Sequence, residues 1–178
     1  ALLTPLVTSA AFNNSDRLIK GKVRAKGRGI AGVVISDGYS VVTTDSKGRY
    51  ELNLHAAASS VFMSTPAGYA FNHEQGISRH YIPVNQLKRR SADFELVQLS
   101  RDDNQHRFII WADPQVKNKS DVGKMMTESV PDVQRLLSAA GAETLFHGIA
   151  VGDIVWDELG LFAEYDKAVG QMGIPFFQ

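Results

Sequence analysis

The chain has 178 residues, and its 19 Lys and Arg balance 19 Asp and Glu, so the formal charge is zero. That balance excludes a nucleic-acid binder working by bulk charge, because affinity for a phosphate backbone needs a clear basic excess. With 44% hydrophobic and 21% charged residues the composition is that of a folded protein; the lack of cysteine removes disulfides and thiolate chemistry, and no apolar window of about 18 residues offers a spanning helix.

The opening Ala1-Leu2-Leu3 lacks a Met and fits either a processed or an artificial start, with too little around it to read as a signal peptide. Residues 1–20 are taken as an N-terminal segment. From Gly21 to about residue 100 the signals are those of β-structure, short branched and aromatic runs broken by Gly, Asp-Gly and Pro. Gly32–Ser36 and Tyr39–Thr44 read as two strands joined at Asp37-Gly38, since Asp-Gly supplies the positive φ of a tight hairpin. Asp45–Gly48 makes a second turn before Arg49–Leu54, where Tyr50, Leu52 and Leu54 alternate with polar residues. Further strands are expected at Ser60–Ser64, Ser78–Pro83 and Asp93–Leu99, so residues 21–100 have the spacing of an antiparallel sandwich of seven or so strands.

After Leu99 the pattern changes. Ser100–Gln105 is a polar linker, and Phe108–Ala112 is a continuous apolar run of the kind found in strands buried on both faces. Val122, Met125, Met126, Val130, Val133, Leu136, Leu137 and Ala140 step by three and four as a helical stripe that Gly141 ends. Pro131 either kinks that helix or begins a second one, with Ser129 as its cap. Leu145–Val151 is another strand, Leu159–Met172 another helix closed by Gly173, and Ile174–Phe177 opens a third strand. A β-α-β-α-β order over residues 107–178 predicts a parallel sheet with ligand sites beyond the carboxyl ends of its strands. Three parallel strands make a poor domain, so the sequence reads as an N-terminal fragment.

Two acidic residues stand where that geometry puts function. Asp113 follows Phe108–Ala112 directly, and Asp153 follows Ile149–Gly152, so neighbouring strands present two carboxylates at one rim. One such Asp is often only a cap for the next helix. Two in register repel unless a cation lies between them, and Gly152 lets the turn come close to a bound group.

Phe108-Ile109-Ile110-Trp111-Ala112-Asp113-Pro114-Gln115 and Gly152-Asp153-Ile154-Val155-Trp156-Asp157 resemble the first two sequence blocks of the calcineurin-like metallophosphoesterases, Asp-x-His and Gly-Asp followed by Asp or Asn. Gly29–Gly38 and Thr44–Tyr50 are similar to the transthyretin-like sandwich that precedes the phosphoesterase domain in an exported bacterial branch. The resemblance implies the opening β-α-β-α-β of a layered α/β phosphoesterase, whose third block falls beyond Gln178. It also implies two divalent ions (Mn, Mg, Fe or Zn), with Asp113 on the first metal, Asp153 bridging both and Asp157 orienting a ligand or water. Gln115 stands where the family has His. A neutral amide oxygen weakens that position and favours Mn²⁺ or Mg²⁺ over Zn²⁺.

The activity implied for the intact protein is hydrolysis of a small-molecule or cell-surface phosphomonoester or phosphodiester by a metal-activated water. The general acid lies outside this chain, so the fragment is expected to be inactive, and the location implied is periplasmic or extracellular. The competing reading is a noncatalytic surface or carbohydrate-binding protein whose sandwich does the work beside a degenerate phosphoesterase part, and Gln115 favours it. An unrelated nucleotide-binding α/β domain would need a Gly-rich phosphate loop, which follows neither strand; Gly27-Arg28-Gly29 lacks the strand and helix around it. His147 reads as packed, His73 and His80 as surface structure, and Lys88-Arg89-Arg90 as a solvated strand end.

Overall fold

The computed structural model describes residues 17–178, so Ala1-Leu2-Leu3 and most of the expected segment 1–20 lie outside the described residues. Strand β1 (Leu18–Ala25) already occupies the end of that segment, and the first sheet therefore begins ahead of the expected Gly21. It is followed by β2 (Arg28–Gly29), β3 (Val34–Ser36), β4 (Val41–Thr43), β5 (Arg49–Asn53), β6 (Ser60–Met63), β7 (Tyr69–Ala70), β8 (His73–Glu74), β9 (Ile77–Ser78), β10 (Tyr81–Pro83), β11 (Phe94–Glu95) and β12 (Val97–Gln98).

Two four-stranded sheets face each other. One has the order β11-β1-β2 with β5 also on β1, and the other runs β10-β6-β3-β4. Ile19, Val23, Tyr50, Leu52 and Phe94 of the first share one buried core with Ile35, Val61 and Met63 of the second. Alternation builds it: Tyr50 and Leu52 are buried while Arg49, Glu51 and Asn53 face solvent, as a strand with one wet face requires. This arrangement is compatible with a β-sandwich.

Three local expectations are corrected. The turn between β3 and β4 is wider than a two-residue Asp-Gly hairpin, because the Asp37 carboxylate folds the chain around itself, accepting from the N–H groups of Tyr39, Ser40 and His55 at 3.0, 2.7 and 2.7 Å. The strand expected at Ser78–Pro83 is two strands, β9 and β10, in different sheets. That expected at Asp93–Leu99 is divided into β11 and β12, since Leu96 turns inward to the core between them.

The second half holds β13 (His106–Ala112), α1 (Lys119–Lys124), α2 (Val130–Ala140), β14 (Leu145–Val151), α3 (Phe162–Met172) and β15 (Phe176–Phe177). Its sheet has the order β13-β14-β15-β9-β8, with β13, β14, β15 and β9 parallel. The last two strands come from the segment expected to belong to the sandwich. The hairpin of β8 and β9 crosses the polar linker's boundary and covers the edge of β15: Phe176 N–H donates to Gly76 O at 2.6 Å, and Ile77 is buried in the second core. Gly76 sits at φ +84, and a Cβ there would lie 2.9 Å from Val169 O, so only glycine passes under α3.

Pro131 stands in the first turn of a second helix, α2, as one of the two expectations had it, but Ser129 is not its cap. A π-helical turn, Met125–Ser129, joins α1 to α2 with helical backbone throughout; Ser129 is in the right-handed helical region and makes no cap bond. The true N-cap lies upstream, where the Asn118 side chain accepts from Ser120 and Asp121 N–H. Helices cover one face of the sheet, packing on Ile109, Trp111, Phe146 and Phe176. The other face is open along β13, where Phe108 and Ile110 are each 57% exposed, so the expectation of a strand buried on both faces does not hold.

Candidate functional site

The carboxyl ends of β13 and β14 meet at one rim. The ladder continues past both strands, because Asp113 N–H donates to Val151 O at 2.8 Å, Gln115 N–H to Asp153 O at 2.9 Å and Val116 N–H to Ile154 O at 3.0 Å. This zipper sets the two loops side by side. Asp113 Oδ1 accepts from the backbone N–H of Asp153 at 3.1 Å, and both carboxylate residues are exposed to solvent.

Backbone conformation there is unusual. Asp113 and Gln115 both have φ +45, flanking Pro114, a left-handed region that costs a non-glycine residue roughly 1–2 kcal/mol. Such outliers concentrate where a loop is shaped for a task. Gly152 has φ +83, and a Cβ on it would fall 2.0 Å from Asp113 Oδ1. Glycine is what allows the Asp113 carboxylate to lie across the β14 turn.

Asp113, Gln115 and Asp153 are thus brought together, the last two through main-chain atoms. Asp157 is exposed in the loop after Val155, and no contact ties it to the other three among the described residues. Beside the rim lies a cleft of about 670 Å³ lined by Gln115, Lys117, Asp121, Lys124 and the edge of β13. Lys117 Nζ stands 4.3 Å from the Trp156 ring centroid, which fixes a cation next to the acidic loop. Sequence reasoning missed this pair, since cation–π partners on different loops carry no spacing signal.

The donor set is two carboxylates, one amide and a glycine cradle, which suits one side of a centre for an oxygen-preferring divalent ion. Among the described residues no group of three or more His, Asp or Glu is arranged to hold a metal. His147 is packed against Phe71 and Phe108, with ring centroids 5.1 and 5.7 Å away, far down β14 from the acidic rim. His73 is exposed and His80 half-buried, and the Lys88-Arg89-Arg90 run is exposed.

Residues 17–99 match the family model for the N terminal of calcineurin-like phosphoesterase. The match spans the sandwich with its inserted hairpin and ends before the acidic rim. No curated protein and no solved structure matches the chain.

Proposed function

We propose that the rim formed by Asp113 and Asp153 is the metal-binding side of a calcineurin-like phosphoesterase active site, carried behind a transthyretin-like sandwich. The observation that carries this reading is the Asp153 N–H bond to Asp113 Oδ1 at 3.1 Å, across a glycine with no room for a side chain. The family match over the sandwich supports it independently.

Asp113 and Asp153 would hold divalent ions, and Gln115 would add a neutral oxygen in place of imidazole. When bound, the ions supply an activated water and charge stabilisation for in-line attack on phosphorus. The chain's own contribution is positional. The zipper sets the two loops side by side and Asp153 N–H holds the Asp113 carboxylate, Lys117 and Lys124 line the adjoining cleft and give an anionic ester a favourable approach, and Asp157 is left exposed to orient a water. The substrate class is a phosphomonoester or phosphodiester, and the compartment is the periplasm or exterior.

The test is release of nitrophenol from bis-nitrophenyl phosphate with Mn²⁺, using the longest natural chain that contains these residues. Asp113→Asn and Asp153→Asn should each lower turnover by about a hundredfold or more and weaken Mn²⁺ binding measured by calorimetry. A noncatalytic binder predicts no turnover in the parent protein and no change in Mn²⁺ binding in either variant.

A further inference from the structure

The strands that end at the acidic rim begin at a second concavity, on the opposite side of the sheet. A pocket of about 360 Å³ lies where His106 opens β13, Leu145 opens β14 and Pro175 precedes β15. Its other wall is the segment from β7 to β8, with Tyr69, Phe71 and His73, and the linker residue Arg101. It is therefore built at the junction of the two halves, a usual place for a small-molecule site, and its size falls in the usual range.

Its lining is one-sided in charge. Arg101, His73, His106 and His147 line it, and no Asp or Glu does, in a chain whose overall charge is zero. Of the carboxylates next in sequence to the lining, Asp102 accepts from Asn104 N–H, Asp103 from Gly68 N–H and Glu74 pairs with Arg79, while Glu143, between Ala142 and Thr144, is exposed and outside the lining. Arg101 makes no ion pair among the described residues. Between these basic groups the wall is apolar, from Phe71, Leu137, Phe146 and Ile174. His106 and His147 lie with ring centroids 6.0 Å apart on neighbouring strands.

We propose that this pocket binds a small organic anion, a carboxylate or phosphate-type headgroup on an apolar body about the size of an aromatic ring. Arg101 supplies the permanent charge and a planar fork for the headgroup. Phe71 and Phe146 supply the apolar wall. His147 makes the site depend on pH. Burial, and then repulsion from His106, hold His147 below its ordinary 6.5. The groups facing it are His106 from β13, Tyr69 and His73 from the sandwich side and Arg101 from the linker; α2 and β15 present only apolar or backbone groups. An anion held beside His147 favours its charged form, so binding takes up a proton and strengthens as pH falls.

The probes are benzoate and phenylphosphonate, titrated by calorimetry into the full chain with EDTA present, with benzylamine as the cationic analogue of the same body. Benzoate, a monoanion across this range, should bind about tenfold more tightly at about pH 6 than at about pH 8, and benzylamine should not compete with either anion. Arg101→Ala should weaken them by about tenfold or more, with Arg101→Lys intermediate. Asp153→Asn, which alters the other rim, should bind both as the parent does, with amide NMR shifts centred on Arg101, His106 and His147. Equal binding of benzylamine, indifference to Arg101→Ala, or shifts centred on Asp113 and Gly152 would overturn the proposal while leaving the phosphoesterase reading untouched.

Discussion

Individual side chains differ in how much of their role is visible before folding. Gly152 was legible only as a residue whose missing Cβ lets the turn come close to its surroundings; what lies against it is the Asp113 carboxylate, and its φ is +83. Gly152→Ala should push the Asp113 carboxylate aside, weakening Mn²⁺ binding while leaving Tm within a few degrees, checked by calorimetry and thermal melts. Asp37 was not legible beyond its place in a turn. It is buried, and although burial works to raise its carboxyl, the N–H groups of His55, Ser40 and Tyr39 outweigh that and hold it below 3.8. A carboxyl lowered in the folded state stabilises the fold above its unfolded value, and that contribution is lost as pH falls through the folded one. Asp37→Asn should therefore flatten the acid limb of Tm against pH below about 4, at a cost of about 1–3 kcal/mol near neutrality. Tyr165 presents the opposite case. Its hydroxyl is buried with no partner among the described residues, so Tyr165→Phe should be neutral or stabilising by up to about 1 kcal/mol in urea melts.

At the level of elements, period and length carried the reading and pairing partners did not. The stretch Leu145–Val151 was legible to the residue, because a seven-residue apolar strand between a helix-ending glycine and a Gly-Asp leaves little choice. The π-helical turn at Met125–Ser129 was not, since the same stripe of apolar residues suits α- and π-turns alike. Nor was the hairpin His73–Ser78: its short run of polar and small residues gives no sign of which sheet it joins. That choice is made by a backbone contact under α3, where Gly170 and Gly76 nearly touch; a Cβ on Gly76 would lie 3.0 Å from Gly170 Cα. Gly76→Val should force this contact apart and speed hydrogen exchange at Phe176 N–H by at least about tenfold, with little change at Ile35 or Val61 inside the sandwich. Equal acceleration in both cores would mean the hairpin is not a local clasp.

Across the whole molecule, the two cores are separate clusters, yet one continuous chain segment contributes to both. The change of pattern at the polar linker led to the expectation of two parts, residues 21–100 and 107–178; the strand that joins the second core from the first of these segments was not legible, because long-range pairing leaves no periodic trace. The face of β13 carrying Phe108 and Ile110 is the largest departure from expectation, with Val151 beside them also exposed. Ile110→Thr should reduce binding of a hydrophobic dye with little loss of Tm, as expected for a side chain that folding leaves in water. The inserted hairpin also bears on how such genes can be shuffled. A recombination crossover in the polar stretch 100–105 would deliver a sheet whose Phe176 amide has lost its acceptor and whose interior has lost Ile77, so inheritance of the second half is tied to a short stretch encoded far upstream of it.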